Sequence, residues 1–248
     1  VAHHIICDGW SWGVLFNELS QLYSALVNQK PCFLKEAPRF SEYALALQRQ
    51  AQSPEITTAI EKWKEWFSGE IQDLDLPTDF NRPAMRSFFS DRLDVEIDAQ
   101  FVAKLQSMAA NLGCTLANLL LAAFEVLFYR ITSQEEFSLG VPFAGQVFFG
   151  MEELVGHCVN LLPLKTKVNP LQPFDEYLYA RRSVLLEAYD IQLVGYGKIL
   201  QSLEIRRDAS RIPLIPITLN VEQSIAESSI HFSGLETEVY INPKPFYN

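Results

Sequence analysis

The feature that most constrains this chain is its alternation of helix-period segments with short strand-like apolar runs. From Gly13 to Asn28, Leu15, Leu19, Leu22 and Leu26 recur every three or four positions with Phe16 and Tyr23 beside them. That spacing predicts an amphipathic helix, N-capped by Ser11. Residues 1–6 (VAHHII) read as the end of a buried strand, and Cys-Asp-Gly-Trp-Ser as the turn after it. A second helix is expected at about 40–52, and a third, opened by Pro54, to about Phe67. Residues 68–84 carry Gly69, Pro77 and Pro83 without periodicity and read as a crossing linker. Beyond it, Ser87–Ile97 reads as a strand, Asp98 caps a helix to about Leu112, and Thr115 caps one to about Arg130. Phe137–Pro142 and Cys158–Val168 read as strands, Pro173–Tyr189 and about 197–204 as helices, and Pro213–Val221 and Thr237–Ile241 as closing strands. Such an order predicts an α/β two-layer sandwich with a mixed sheet.

Charge and cysteine usage then remove several functions. The net charge of −10 argues against a phosphate-backbone ligand, which needs a basic footprint. The most apolar stretch, Leu116–Phe128, is interrupted by Asn118 and Glu125 and falls short of the ~18 residues of a membrane span. No nucleic-acid or membrane partner is expected. Cys7, Cys32, Cys114 and Cys158 lie far apart with no CxxC pair, so neither a zinc knuckle nor a disulfide framework is indicated. A reduced, cytoplasmic setting follows. The chain opens on Val-Ala-His-His without an initiator Met, a start that reads as the middle of a protein.

The sharpest chemical signal is His3-His4-x-x-x-Asp8-Gly9. On a strand, adjacent residues point to opposite faces, so one histidine is expected to be reactive and the other to pack or hydrogen-bond. Opposite-facing histidines do not converge on one ion, so no metal is expected. A neutral imidazole accepts a proton from an attacking amine or hydroxyl. Asp8 is placed to hold the turn by a charge-assisted hydrogen bond. Gly9 permits close backbone approach, with its N–H near a helix start that favours developing negative charge. Taken singly, a strand-end His is usually structural and Asp-Gly is ordinary turn chemistry.

The whole string HHIICDGWS resembles the HHxxxDG motif of condensation domains of nonribosomal peptide synthetases, in the chloramphenicol-acetyltransferase-like superfamily. Phe40-Ser-Glu-Tyr43-Ala is similar to the family's Tyr-x-Asp-Tyr-Ala element, and Leu76-Pro77-Thr78-Asp79 with Arg82-Pro83 to its interdomain segment. Val155-Gly156-His157-Cys158-Val159-Asn160 resembles (Ile/Val)-Gly-x-Phe-Val-Asn, with Cys158 in place of Phe. Arg207-Asp208-Ala-Ser210-Arg211-Ile-Pro213-Leu214 resembles Arg-Asp-x-Ser-Arg-x-Pro-Leu, with Asn220 following. Ile191–Gly197 departs from the His-Gln-Asp-Tyr-Pro-Phe-Glu of many members and keeps only Gln192, which bears on subtype rather than family.

The resemblance implies a V-shaped pair of α/β subdomains. Residues 1–75 would be the remnant of the first, carrying the HHxxxDG loop, and 76–248 most of the second, the chain being incomplete at both ends. It implies peptide-bond formation between a donor acyl or peptidyl thioester and an acceptor aminoacyl thioester. His4 and Gly9 would be the catalytic candidates, His3 and Asp8 structural support, Asn160 and Ser210 candidate substrate-channel residues, and Arg207 with Asp208 a structural pair. The resemblance further implies no bound cofactor, with substrates arriving on the 4'-phosphopantetheine arms of upstream and downstream carrier domains, beside an adenylation domain. The alternatives are a superfamily acyltransferase using a free amine or alcohol, an epimerisation domain, or a non-catalytic carrier-docking module. This chain alone is expected to be inactive.

Overall fold

The computed structural model describes residues 2–69, 73–205, 208–222 and 230–238. In chain order the elements are α1 (Gly9–Val27), α2 (Phe40–Gln50), α3 (Pro54–Trp66), α4 (Ala99–Asn111), α5 (Leu116–Thr132), β1 (Glu136–Ala144), α6 (Gly145–Phe148), β2 (Val159–Lys167), α7 (Phe174–Asp190) and α8 (Tyr196–Ser202). The helices expected from periodicity and capping are all present. Asp98 caps α4 by accepting from the Gln100 and Phe101 N–H groups, and Thr115 caps α5 in a reciprocal box with Asn118.

The strands are antiparallel. Val168 N–H donates to the Glu135 carbonyl at 2.8 Å, and at the other end Gly145 N–H donates to the Cys158 carbonyl at 2.9 Å. On its other edge, Gly140 forms a parallel bridge to Thr218, with N–H···O distances of 2.8 and 2.9 Å to Ile217 and from Leu219. Among the described residues the sheet is thus the antiparallel pair β1–β2, with one isolated parallel bridge on β1.

Three expected strands are corrected and a fourth is left aside. Residues 2–8 form a turn, with Ile6 and Cys7 N–H groups donating to the His3 and His4 carbonyls, so their backbone groups are satisfied locally rather than by a ladder. Ser87–Ile97 alternates correctly but contributes only a bridge at Phe89, and Leu93, Val95 and Ile97 are exposed. Alternation supplies a face; a strand also needs a ladder partner. Pro213–Val221 contributes only the Thr218 bridge, because Leu214 sits at φ +61° and Pro216 has no N–H to donate. Thr237–Ile241 lies largely outside the described residues.

Two compact units are separable. The first comprises Val1–Pro54, Phe143–Asn160 and Glu222–Asn242. Its core gathers Tyr43, Leu154 and Cys158, with Leu47, Phe149 and Met151 packed against them. The second comprises Glu55–Pro142, Leu161–Val221 and Pro243–Asn248. Here α5 packs on α4 and α7, and Leu139, Leu162 and Leu164 are fully buried. Trp63 is also fully buried, its indole N–H donating to the Ile191 carbonyl at 3.3 Å.

The second unit also encloses a charge that periodicity did not predict. Glu125, on the apolar helix α5, is fully buried. Arg181 clasps it with two donors, Nε at 2.8 Å and Nη2 at 2.6 Å, while the Tyr177 and Thr166 hydroxyls donate at 2.7 and 2.8 Å. Every lone-pair direction of the carboxylate is used, which is the condition under which a buried charge is tolerated. Burial, reinforced by Glu125, holds the Tyr177 phenol far above its ordinary range.

Candidate active site

The first unit places the HHxxxDG residues at the start of α1. Asp8, not Ser11, is the N-cap: its Oδ1 accepts from the Ser11 N–H at 2.9 Å. Ser11, at the third helical position, closes a capping box by accepting from the Asp8 N–H at 3.4 Å. The helix therefore begins four residues earlier than expected, at Gly9, because an aspartate one residue ahead of it caps as well as a serine would.

The second Asp8 oxygen reaches the strand pair. Its Oδ2 accepts from the Cys158 N–H at 3.0 Å. Beside it, the Ser11 hydroxyl lies 2.9 Å from the Gly156 carbonyl and accepts from the Gly156 N–H at 3.0 Å. The Cys158 carbonyl in turn accepts from Gly145 N–H at 2.9 Å and from the Tyr43 hydroxyl at 3.4 Å. A Cβ at Gly145 would stand 2.5 Å from that hydroxyl and 2.8 Å from that carbonyl, so only glycine fits. Asp8 and Ser11 are almost wholly buried, so these bonds are shielded from water. Burial, with the nearby Asp8 carboxylate, pushes the Cys158 thiol from its ordinary 9.0 up to about 11. Burial likewise raises the Cys7 thiol and the Tyr43 phenol.

His3 and His4 are both exposed and take different partners. The Ile5 N–H donates to His3 Nδ1 at 3.1 Å. His4 Nδ1 lies 3.1 Å from His157 Nδ1, the rings meeting edge to face at 78° with centroids 5.0 Å apart. The two histidines diverge because the chain turns there, rather than by strand alternation. Among the described residues no cluster of three or more His, Cys, Asp or Glu side chains could hold a metal ion.

Gly9 is the first helical residue, so its N–H has no carbonyl within the helix to serve. A Cβ there would stand 3.0 Å from Glu222 Oε1. An acidic side chain at a helix N-terminus is favourably placed. Asn160 lies in β2 and is half-buried. Ser210 belongs to the second unit, its N–H donating to Asp208 Oδ1 at 2.8 Å and its carbonyl accepting from Arg82 at 3.4 Å. Hydrogen bonds from Ser210, its backbone N–H first and its hydroxyl next, hold the Asp208 carboxyl below its usual range. Arg207, expected to pair with Asp208, lies outside the described residues; Arg211 Nε lies 3.9 Å from Asp208 Oδ2.

Sequence reasoning placed the cap on Ser11 instead of Asp8, and it gave His157 no role at the site. The Asp8-x-x-Ser11 spacing carried the first signal. Nothing local carried the second, since His157 is 153 residues from His4.

A model of the Condensation domain family matches residues 1–241. The chain is 33% identical over 244 residues to bacitracin synthase 3 of Bacillus licheniformis, covering 97% of this chain and 4% of that one. It is 32% identical over 239 residues to gramicidin S synthase 2 of Aneurinibacillus migulanus, covering 96% and 5%. The condensation domain of the Monacolin K polyketide synthase MokA superposes with a TM-score of 0.79 at 22% identity, over 92% of this chain and 54% of that one. The chain belongs to the condensation domain family, and its fold is the chloramphenicol-acetyltransferase-like α/β fold. Condensation domains of nonribosomal peptide synthetases are acyltransferase-type enzymes that form amide bonds. This chain spans about one-twentieth of those curated relatives and about half of that solved domain.

Proposed function

We propose that the protein carrying this chain joins a donor acyl or peptidyl thioester to the α-amine of an acceptor aminoacyl thioester, in the synthesis of a peptide-type secondary metabolite. The amine attacks the thioester carbonyl, its proton leaves to a base, and collapse of the tetrahedral intermediate expels the carrier thiol. The observation that carries the reading is the exposed His4 imidazole, held at the N-terminal end of α1 by the buried Asp8 anchor, in a chain matched by the family model nearly end to end.

In this reading His4 takes or orients the amine proton. Proton transfer by a positioned side chain contributes ~10²–10⁴-fold. Holding two thioesters in register contributes ~7–11 kcal/mol, so positioning outweighs the imidazole. Gly9 N–H would receive the oxyanion. Asp8 and His3 would support the turn, and Asn160 and Ser210 are candidate substrate-channel residues. The family subdomain division falls near residue 75, with 1–75 and 76–248 on either side.

The partners proposed are upstream and downstream carrier domains, whose 4'-phosphopantetheine arms deliver the substrates, and an adenylation domain of the same synthetase in the cytoplasm. The test is single-turnover transfer between two loaded carrier proteins by the complete domain. Amide product on the acceptor carrier is expected. Transfer to free amines at equal rate, or loss of α-carbon configuration without condensation, would overturn the reading.

A further inference from the structure

Two imidazoles meeting Nδ1 to Nδ1 at 3.1 Å impose a rule on each other. A neutral imidazole carries a proton on one nitrogen and a lone pair on the other. Two Nδ1 lone pairs at this distance repel, and two Nδ1–H groups clash. A hydrogen bond therefore forms only when one ring is the Nδ1–H tautomer and its partner is the Nε2–H tautomer. The tautomers of His4 and His157 are coupled.

The backbone beneath both rings is fixed by Asp8 together with Ser11, whose hydroxyl bonds Gly156. Asp8 caps the helix that follows His4, and its other oxygen accepts from Cys158, the residue after His157. His3 does not intrude, because its Nδ1 accepts from Ile5 N–H.

We propose that His157 is a positioning residue that holds His4 in the Nδ1–H tautomer. His157 Nδ1 accepts the His4 Nδ1–H, which leaves the His4 Nε2 lone pair for the incoming amine. In the reverse arrangement His4 would carry its proton on Nε2 and could only donate. That the two rings hold opposite tautomers follows from the contact alone; the choice of His4 as the Nδ1–H partner rests on the condensation reading.

The experiment is long-range ¹⁵N–¹H correlation of the histidine rings in the ¹⁵N-labelled chain at mildly alkaline pH, where unperturbed imidazoles are neutral. His4 is expected to be protonated at Nδ1, with a scalar coupling through the hydrogen bond to His157 Nδ1. In His157→Phe, His4 should move toward the Nε2–H tautomer, and in His157→Asn, whose amide oxygen still accepts, it should stay. In carrier-to-carrier transfer by the complete domain, His157→Phe should lower kcat about tenfold at unchanged KM, the factor one ordinary hydrogen bond represents, with Asn recovering most of it. A wild-type His4 protonated at Nε2, or absence of the coupling, overturns the proposal without any variant. So does an unmoved His4 tautomer in a folded His157→Phe chain. If the coupling is present but the complete wild-type domain forms no amide, the tautomer assignment stands and the condensation reading fails.

Discussion

The Asp8 carboxylate and the Cys158 N–H meet at 3.0 Å across 150 residues of sequence. One side chain thereby caps α1 through Oδ1 and anchors the start of β2 through Oδ2. The two motif segments that carry His4 and His157 are held together by that carboxylate rather than by the histidines themselves.

Replacing Asp8 by Ala should cost the chain ~2–4 kcal/mol, because a helix cap is lost and buried Ser11 and Cys158 N–H groups are left unpaired. Asp8→Asn retains one acceptor oxygen and should cost less. Urea unfolding measures both, and an Asp8→Ala chain as stable as wild type would refute the anchoring role.

Gly145 and Gly13 should respond oppositely to alanine. At Gly145 the new Cβ meets the Tyr43 hydroxyl at 2.5 Å and the Cys158 carbonyl at 2.8 Å, one of them backbone. Overpacking of this kind costs ~1–3 kcal/mol. At Gly13, inside α1, nothing lies within 4 Å, and alanine should stabilise by ~0.5–1 kcal/mol. Thermal unfolding of the two variants should bracket the wild type.

Arg181→Leu should be the most damaging change in the second unit. It strands the fully buried Glu125 carboxylate, and breaking such a pair costs ~3–5 kcal/mol. The double variant Glu125→Leu/Arg181→Leu should recover part of that loss, leaving the Tyr177 and Thr166 hydroxyls and the Lys165 carbonyl without these partners. A double variant less stable than Arg181→Leu alone would contradict this.

The Cys158 thiol should make the fold sensitive to alkali. Its pKa is raised by burial from 9.0 to about 11, so the folded chain holds the proton more tightly than the unfolded one. The associated stability is present in full below pH 9.0 and is lost as pH rises towards about 11. Cys158→Ala should flatten that part of the stability profile. At neutral pH, half-buried Cys32 should be alkylated well before buried Cys158; equal rates would contradict the burial.

The helices were legible in the sequence because their signals are local. Asp98 and Thr115 announce α4 and α5, and the three-to-four spacing of leucines announces α1. The strands were less so. Leu93, Val95 and Ile97 alternate as a strand would, yet pairing depends on a partner elsewhere in the chain. At the site, the HHxxxDG string marked His4 and Asp8, but a strand reading of residues 1–6 supplied the wrong reason for the two histidines to diverge. The His157 contact and the Arg181 clasp on Glu125 join distant residues, and no short-range pattern reveals them.

The central claim is that His4 serves amide formation, and single-turnover transfer between two loaded carrier proteins by the complete domain tests it most directly. His4→Ala should slow amide formation ~10²-fold or more while leaving residual product, since positioning survives the loss of the imidazole. A His4→Ala domain that condenses as fast as wild type would contradict the account.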